Sequence, residues 1–322
     1  MTDFLRTPDA NFDGLTDFGF EPRYHQWQDL RVHYLDEGPA DGPVMLLVHG
    51  MPTWSYLYRH MIPVLVAAGY RCIAPDHLGF GRSDKPTDPC FFTIARHTEV
   101  LTSLLCSLGL TDVTLVCQDW GGPIGLAQAM TMPERFARLV VMNTWLHHEA
   151  YPYSDAVRSW NQNWHEGGIF HRPRPDVGLL PVLTAGLVSP EVALGALAEG
   201  RAPALTPEAA ALYAGYSAPF LGMDDAAFNG LRRFPLSIPF DDYASGNGAA
   251  QSHHRHELTR WTKPVHFLWG TADPIFPAEH GRAWADELGA SFEAVDGASH
   301  FLQDTHGTWI AARIVELAER SN

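Results

Sequence analysis

The chain has 322 residues, 46% hydrophobic and 18% charged, enough to bury a large core and, at about 150 residues per domain, to suggest roughly two domains. Its formal net charge of −15 argues against nucleic acid or an anionic membrane as partner, since both are held by clustered Lys and Arg. No apolar run approaches the ~18 residues of a membrane span, and Met1 to Leu15, with Asp3, Asp9 and Asp13, lacks the basic start and apolar stretch of a signal peptide, so a cytoplasmic location is expected.

Leu30 to Leu35 alternates and reads as a strand, followed by turn residues from Glu37 to Pro43. Val44 to Val48 is uniformly apolar, the mark of a strand buried on both faces, and it ends at His49-Gly50. Leu57, Met61, Val64 and Leu65 then follow helical spacing, with Gly69 as terminator. Arg71 to Pro75 is the next strand. Leu101, Leu104, Leu105 and Leu108 mark a helix closed by Gly109, and Val113 to Cys117 and Leu139 to Met142 are further strands. This alternation predicts an α/β protein with a mostly parallel sheet covered by helices on both faces.

The rhythm changes at about Trp145. As far as about Thr259 there are helix-like pieces, Pro190 to Glu199 and Pro207 to Tyr216, and no buried strand. Strands resume at Pro264 to Trp269 and Ser291 to Val295, and Trp309 to Leu317 reads as a C-terminal helix. The expected organisation is a sheet domain, residues 1–144 and 260–322, interrupted by a helical cap, residues 145–259. The four cysteines, Cys72, Cys90, Cys106 and Cys117, form no close pair of the kind that builds zinc sites or redox dithiols.

Val116-Cys117-Gln118-Asp119-Trp120-Gly121-Gly122-Pro123 puts a carboxylate on a tight turn between a buried strand and a helix. In α/β-hydrolases this strained, small-residue turn exposes the nucleophile. Alone, Asp119 reads equally as a helix N-cap. Two further loops change the balance: Asp273 follows one late strand and His300 the next. The chain order nucleophile, acid, His is that of the α/β-hydrolase fold. No Gly-x-Ser-x-Gly occurs, so a serine esterase lacks its nucleophile. In this fold the loop His49-Gly50-Met51 and the residue after the nucleophile supply oxyanion-hole N–H groups, here those of Met51 and Trp120.

With these motifs, and with Leu5-Arg6-Thr7-Pro8-Asp9, His33 to Gly38, His49 to Tyr58, Pro75-Asp76 and Gly79 to Pro86, the chain resembles the haloalkane dehalogenases. Met51 in the oxyanion loop and Asn143-Thr144 after a strand resemble the subfamily that uses two halide-binding Trp residues and an Asp-His-Asp triad. The resemblance implies Asp119 as nucleophile, His300 as base, Asp273 as its orienting acid, and Trp120 with a cap Trp as halide ligands. Trp160 is the preferred cap residue and Trp164, one helical turn on, the alternative. It also implies a halogenated alkane and water as substrates, a halide product, and no metal or organic cofactor.

Two rivals share the fold. An epoxide hydrolase also uses an elbow Asp, with acid assistance from cap tyrosines, for which Tyr151, Tyr153, Tyr213 and Tyr216 are available. A non-catalytic receptor need not keep all three triad residues. His253, His254 and His256 lack the supporting ligands of a metal site and read as a solvated loop. Preferred chain length, halogen and oligomeric state stay open.

Overall fold

Ten strands and nine α-helices are formed by the residues described in this computed structural model, namely 1–166, 203–242 and 246–320 with the single positions Gly186, Gly195 and Glu199. In chain order they are β1 (Phe4–Leu5), β2 (Arg23–Trp27), β3 (Leu30–Glu37), β4 (Val44–Val48), α1 (Ile62–Ala67), β5 (Arg71–Pro75), β6 (Lys85–Pro86), α2 (Ile94–Ser107), β7 (Val113–Gln118) and α3 (Gly121–Thr131). There follow β8 (Phe136–Met142), α4 (Asp155–His165), α5 (Pro207–Ser217), α6 (Asn229–Leu236), α7 (Gly246–Leu258), β9 (Val265–Gly270), α8 (Ala278–Leu288), β10 (Ser291–Val295) and α9 (Leu302–Arg320).

Eight strands make one sheet in the order β10-β9-β8-β7-β4-β5-β3-β2, and β1 pairs separately with β6. The pairs β2–β3 and β3–β5 are antiparallel and the rest of the large sheet is parallel. The central strands β4 and β7 are buried along their whole length, as expected of parallel strands covered on both faces. From β4 the chain winds first to β5 and later, through β7, the other way. That reversal opens a crevice at the carboxyl ends of β4 and β7, where α/β proteins place ligands.

The α/β-hydrolase architecture expected from the sequence is present, and its departures in detail have physical causes. The edge strand β2 carries Arg23, Tyr24, His25 and Gln26, with only Trp27 buried, so it lacks an apolar pattern. Helix α2 starts at Ile94, ahead of its leucine face, because the Thr93 hydroxyl caps it by accepting from the Arg96 N–H at 3.2 Å. Helix α9 starts at Leu302 rather than near Trp309. Its first turns look polar in the sequence because Asp304 is buried, paired with Arg59 at 2.7 Å with side-chain exposures of 2% and 3%. His253, His254 and His256 lie on α7, not in a loop. That helix has little apolar periodicity because it docks through Gly248, Gln251 and Leu258, and the Gln251 side-chain oxygen accepts the His147 N–H at 3.0 Å.

Helices α4 to α7 lie between β8 and β9 in the chain, and the described residues of that stretch contain no strand. Pro207 to Tyr216 is the helix α5, capped by the Thr206 hydroxyl with Pro207 in its first turn, where the missing N–H costs nothing. Pro190 to Glu199 falls outside the described residues apart from Gly195 and Glu199. The C-terminal end of α5 and the residues after it are strapped to the rest of the protein. The Trp54 indole N–H donates to the Gly215 carbonyl at 3.1 Å, Thr7 Oγ1 to the Pro219 carbonyl at 2.7 Å, and Asn11 Nδ2 to the Ala218 and Leu221 carbonyls at 3.1 and 2.8 Å. The Tyr216 hydroxyl donates to Asp304 at 2.6 Å. All four cysteines are free, Cys72 and Cys117 buried and Cys90 and Cys106 exposed. Among the described residues no helix is long and apolar enough to cross a membrane.

Candidate active site

Strand β7 hands over to α3 through Asp119, whose φ of 51° is left-handed. A non-glycine residue in that region is strained, and the turn is held from the neighbouring strand. The Asp119 N–H donates to the Asn143 carbonyl at 3.0 Å, and the Asp119 carbonyl accepts the Thr144 hydroxyl at 2.5 Å and the Gly122 N–H at 2.9 Å. A Cβ on Gly121 would lie 2.0 Å from the Val48 carbonyl oxygen, so nothing larger fits where the elbow crosses β4.

The Asp119 carboxylate does not cap α3. Its Oδ1 accepts the Met51 N–H at 2.7 Å, and its Oδ2 lies 3.4 Å from His300 Nε2. Gly50 lets the loop after β4 come this close, since a Cβ there would stand 2.1 Å from Oδ1. The loop is clamped by two buried imidazoles. His49 Nδ1 donates to its neighbour Gly50's carbonyl at 2.7 Å, His49 Nε2 accepts the His77 N–H at 3.0 Å, and His77 Nε2 donates to the His49 carbonyl at 2.8 Å. Burial lowers the pKa of both rings, which keeps them neutral and able to both give and accept. The Trp120 N–H, also expected in the oxyanion hole, makes no hydrogen bond to the carboxylate.

His300 Nδ1 donates to Asp273 Oδ2 at 2.9 Å. Asp273 is 5% exposed; Oδ2 also accepts Asn143 Nδ2 at 2.6 Å, and Oδ1 accepts the Ile275 N–H at 2.7 Å. Burial alone would lower the imidazole's pKa, but the charges and hydrogen bonds of Asp273 and Asp119 outweigh it and raise it to about 10. Asp119, His300 and Asp273 thus form one connected line from a carboxylate through an imidazole to a second carboxylate.

An aromatic wall stands beside Asp119. Trp120 meets Trp145 edge to face at 4.7 Å and Phe234 at 5.1 Å. Trp145 stacks on Phe276 at 5.0 Å, and Phe276 lies 5.6 Å from the His300 ring. Trp120 is 3% exposed. In α4, Trp160 and Trp164 meet edge to face at 5.4 Å, with Trp164 buried at 2% exposure and Trp160 only partly buried.

Residues 43–168 match the sequence model of the alpha/beta hydrolase fold. The chain is 39% identical to a haloalkane dehalogenase of Psychrobacter cryohalolentis over 97% of both chains, and 39% identical to one of Mycobacterium marinum over 97% of this chain and 99% of that one. The chain belongs to the haloalkane dehalogenase family. The tetrameric haloalkane dehalogenase DpaA from Paraglaciecola agarilytica superposes with a TM-score of 0.81 at 31% identity, covering 97% of each chain.

Several residues that shape the site of this member of the dehalogenase family carry no motif in its sequence. Asn143 is noticeable there only for not being a carboxylate, yet it holds Asp273, the Asp119 N–H and, through Oδ1, the Gly270 N–H at 2.9 Å. His49 and His77 look like loop residues, and Phe234 and Phe276 have no local pattern; a Phe three positions after the strand-end Asp273 is the only available signal. The tyrosines an epoxide hydrolase would need are partly engaged elsewhere: the Tyr153 hydroxyl lies 2.7 Å from His147 Nδ1 and that of Tyr216 donates to Asp304.

Proposed function

We propose that the protein hydrolyses haloalkanes to an alcohol and a halide through a covalent ester on Asp119, with residues 145–259 forming a cap over the site. The observation that carries this reading is the division of labour between the two Asp119 oxygens. Oδ1 is held by the Met51 N–H at 2.7 Å while Oδ2 is left facing His300 at 3.4 Å. Oδ2 is therefore the oxygen that attacks the halogen-bearing carbon, and the C–X bonding pair leaves with the halide. An anion appearing in an apolar pocket needs donors. The Trp120 indole N–H is one, and Trp160 is the second, since the deeper burial of Trp164 suits packing.

Alkylation also changes the base. While Asp119 is ionised, two carboxylates hold the proton on His300; the ester is neutral, so one of them is gone, and the imidazolium gives its Nε2 proton to solvent and regains the lone pair of a base. It then takes a proton from a water whose oxygen bonds to Asp119 Cγ. The tetrahedral oxyanion forms on Oδ1, already seated on the Met51 N–H, a kind of contact worth about 10²- to 10³-fold in rate. Collapse breaks the Cγ–Oδ2 bond, and the alcohol leaves with Oδ2 and the proton that His300 took from the water. No step calls for a metal or organic cofactor.

The oxygen bookkeeping supplies the test. In a single turnover in ¹⁸O-water with enzyme in excess over a bromoalkane, the alcohol should be unlabelled and the peptide containing Asp119 should carry the label. Direct displacement by water would put ¹⁸O in the alcohol and refute the ester.

A further inference from the structure

We infer that Gln118 is a positioning residue that holds His300 in the unprotonated form needed for ester hydrolysis, an inference that rests on the ester mechanism above. Gln118 is the last residue of β7, fully buried, and its side chain reaches across to the loop that carries His300. Its Nε2 lies 3.0 Å from the His300 carbonyl oxygen and 3.2 Å from His300 Nε2. The carbonyl oxygen can only accept, so the atom facing it is the amide nitrogen, and the amide orientation follows. The second N–H of the same nitrogen is then available to His300 Nε2, which can accept it only through a lone pair.

Asp273 fixes the other side of the ring, since its Oδ2 takes the Nδ1 proton at 2.9 Å. Between them, Asp273 and Gln118 select one tautomer of neutral imidazole: proton on Nδ1, lone pair on Nε2. That is the form a general base must have. The orientation leaves Gln118 Oε1 buried without a hydrogen-bond partner among the described residues, while the amide nitrogen stays on His300. A residue present only to fill space does not need a nitrogen at that point.

The groups facing Nε2 act in opposite senses. Asp119 Oδ2, at 3.4 Å, favours a proton there and is neutralised by alkylation; Gln118 disfavours a proton and is unaffected by it. In the ester intermediate Gln118 is thus the polar neighbour of Nε2 that remains, and its effect is greatest in the step that uses the base. The first step, in which Oδ2 attacks carbon, does not use His300 as a base and should be nearly indifferent to Gln118.

The test uses Gln118→Met, which keeps the volume and removes both donors, and Gln118→Glu, which adds an acceptor and a charge. Halide release in the first turnover is measured by stopped flow and kcat across pH, with His300→Ala as the trapped-ester control. In Gln118→Met, first-turnover halide release should stay within about threefold. The acid limb of kcat should move up by about half to one pH unit, the scale of one neutral hydrogen bond. The deficit in kcat therefore shrinks as pH rises. Gln118→Glu should move the limb further in the same direction. An unmoved limb in both folded variants, or halide release that falls in step with kcat, overturns the assignment. If the wild type itself gives no first-turnover halide, or His300→Ala accumulates no ester, the failure lies in the ester mechanism and the assignment falls with it.

Discussion

The coupling between Asp119 and His300 can be measured directly by replacing Asp119 with asparagine, which copies the charge state of the proposed ester without any substrate. Oδ2 lies 3.4 Å from Nε2. At an effective dielectric of about 20, unit charges at that distance attract by about 5 kcal/mol, a ceiling of roughly 3.5 pH units. One close opposite charge usually moves a pKa by about 1–3 units. We therefore expect the imidazole of Asp119→Asn to titrate about 2 units lower than its wild-type value of about 10, near 8. The assay is an NMR titration of ¹³C-labelled histidine, with His300→Ala to assign the signal and intact mass to confirm that the introduced amide has not hydrolysed back to the acid. A His300 signal titrating within half a unit of wild type would refute the argument that alkylation releases the base. The sign can also be read from stability. A folded-state pKa raised from 6.5 to about 10 stabilises the protein fully below about 6.5, and this contribution is lost as pH rises through 10. The loss over that window should be smaller in Asp119→Asn.

Further substitutions test separate parts of the structure. Asn143→Ala removes the donor to Asp273 and the acceptor of the Gly270 N–H; it should cost about 1–3 kcal/mol in urea unfolding and lower kcat while the enzyme stays folded by circular dichroism. Trp160→Phe should weaken chloride inhibition by about tenfold or more, the scale of one hydrogen bond to an ion, whereas Trp164→Phe should change it little; the opposite ranking would transfer the halide role to Trp164. Asp304→Asn strands the Arg59 guanidinium at 3% exposure and should cost about 3–5 kcal/mol in chemical unfolding, whereas replacing both partners by apolar residues should recover most of that.

What can be read from the sequence is whatever is local to one strand or turn. Val44–Val48 and Val113–Gln118 announce buried strands by composition, and Asp119, Asp273 and His300 each follow a strand closely enough to be found from chain order. The structure brings these three together. What depends on register between strands is not readable. Gln118 pairs with Met142 across β7 and β8, so Asn143 falls opposite Asp119 and can grip both the elbow and Asp273; no spacing along the chain encodes that. The Asp304–Arg59 pair hides the start of α9 for a related reason, since a charge buried with a distant partner looks the same in sequence as one on the surface. Phe234 meets Trp120, and Trp145 meets Phe276, only after the chain has folded back over the sheet.

The strap across residues 215–221 has a practical meaning for anyone handling the protein. Thr7 and Asn11 supply three of its hydrogen bonds, so the first dozen residues are a structural component in their own right. Trimming them, or burying them under a purification tag, disturbs donors to the backbone at the end of α5 and should loosen residues 215–221. The opposite terminus is the safer attachment point, because α9 ends at Arg320 with 69% of that side chain in solvent.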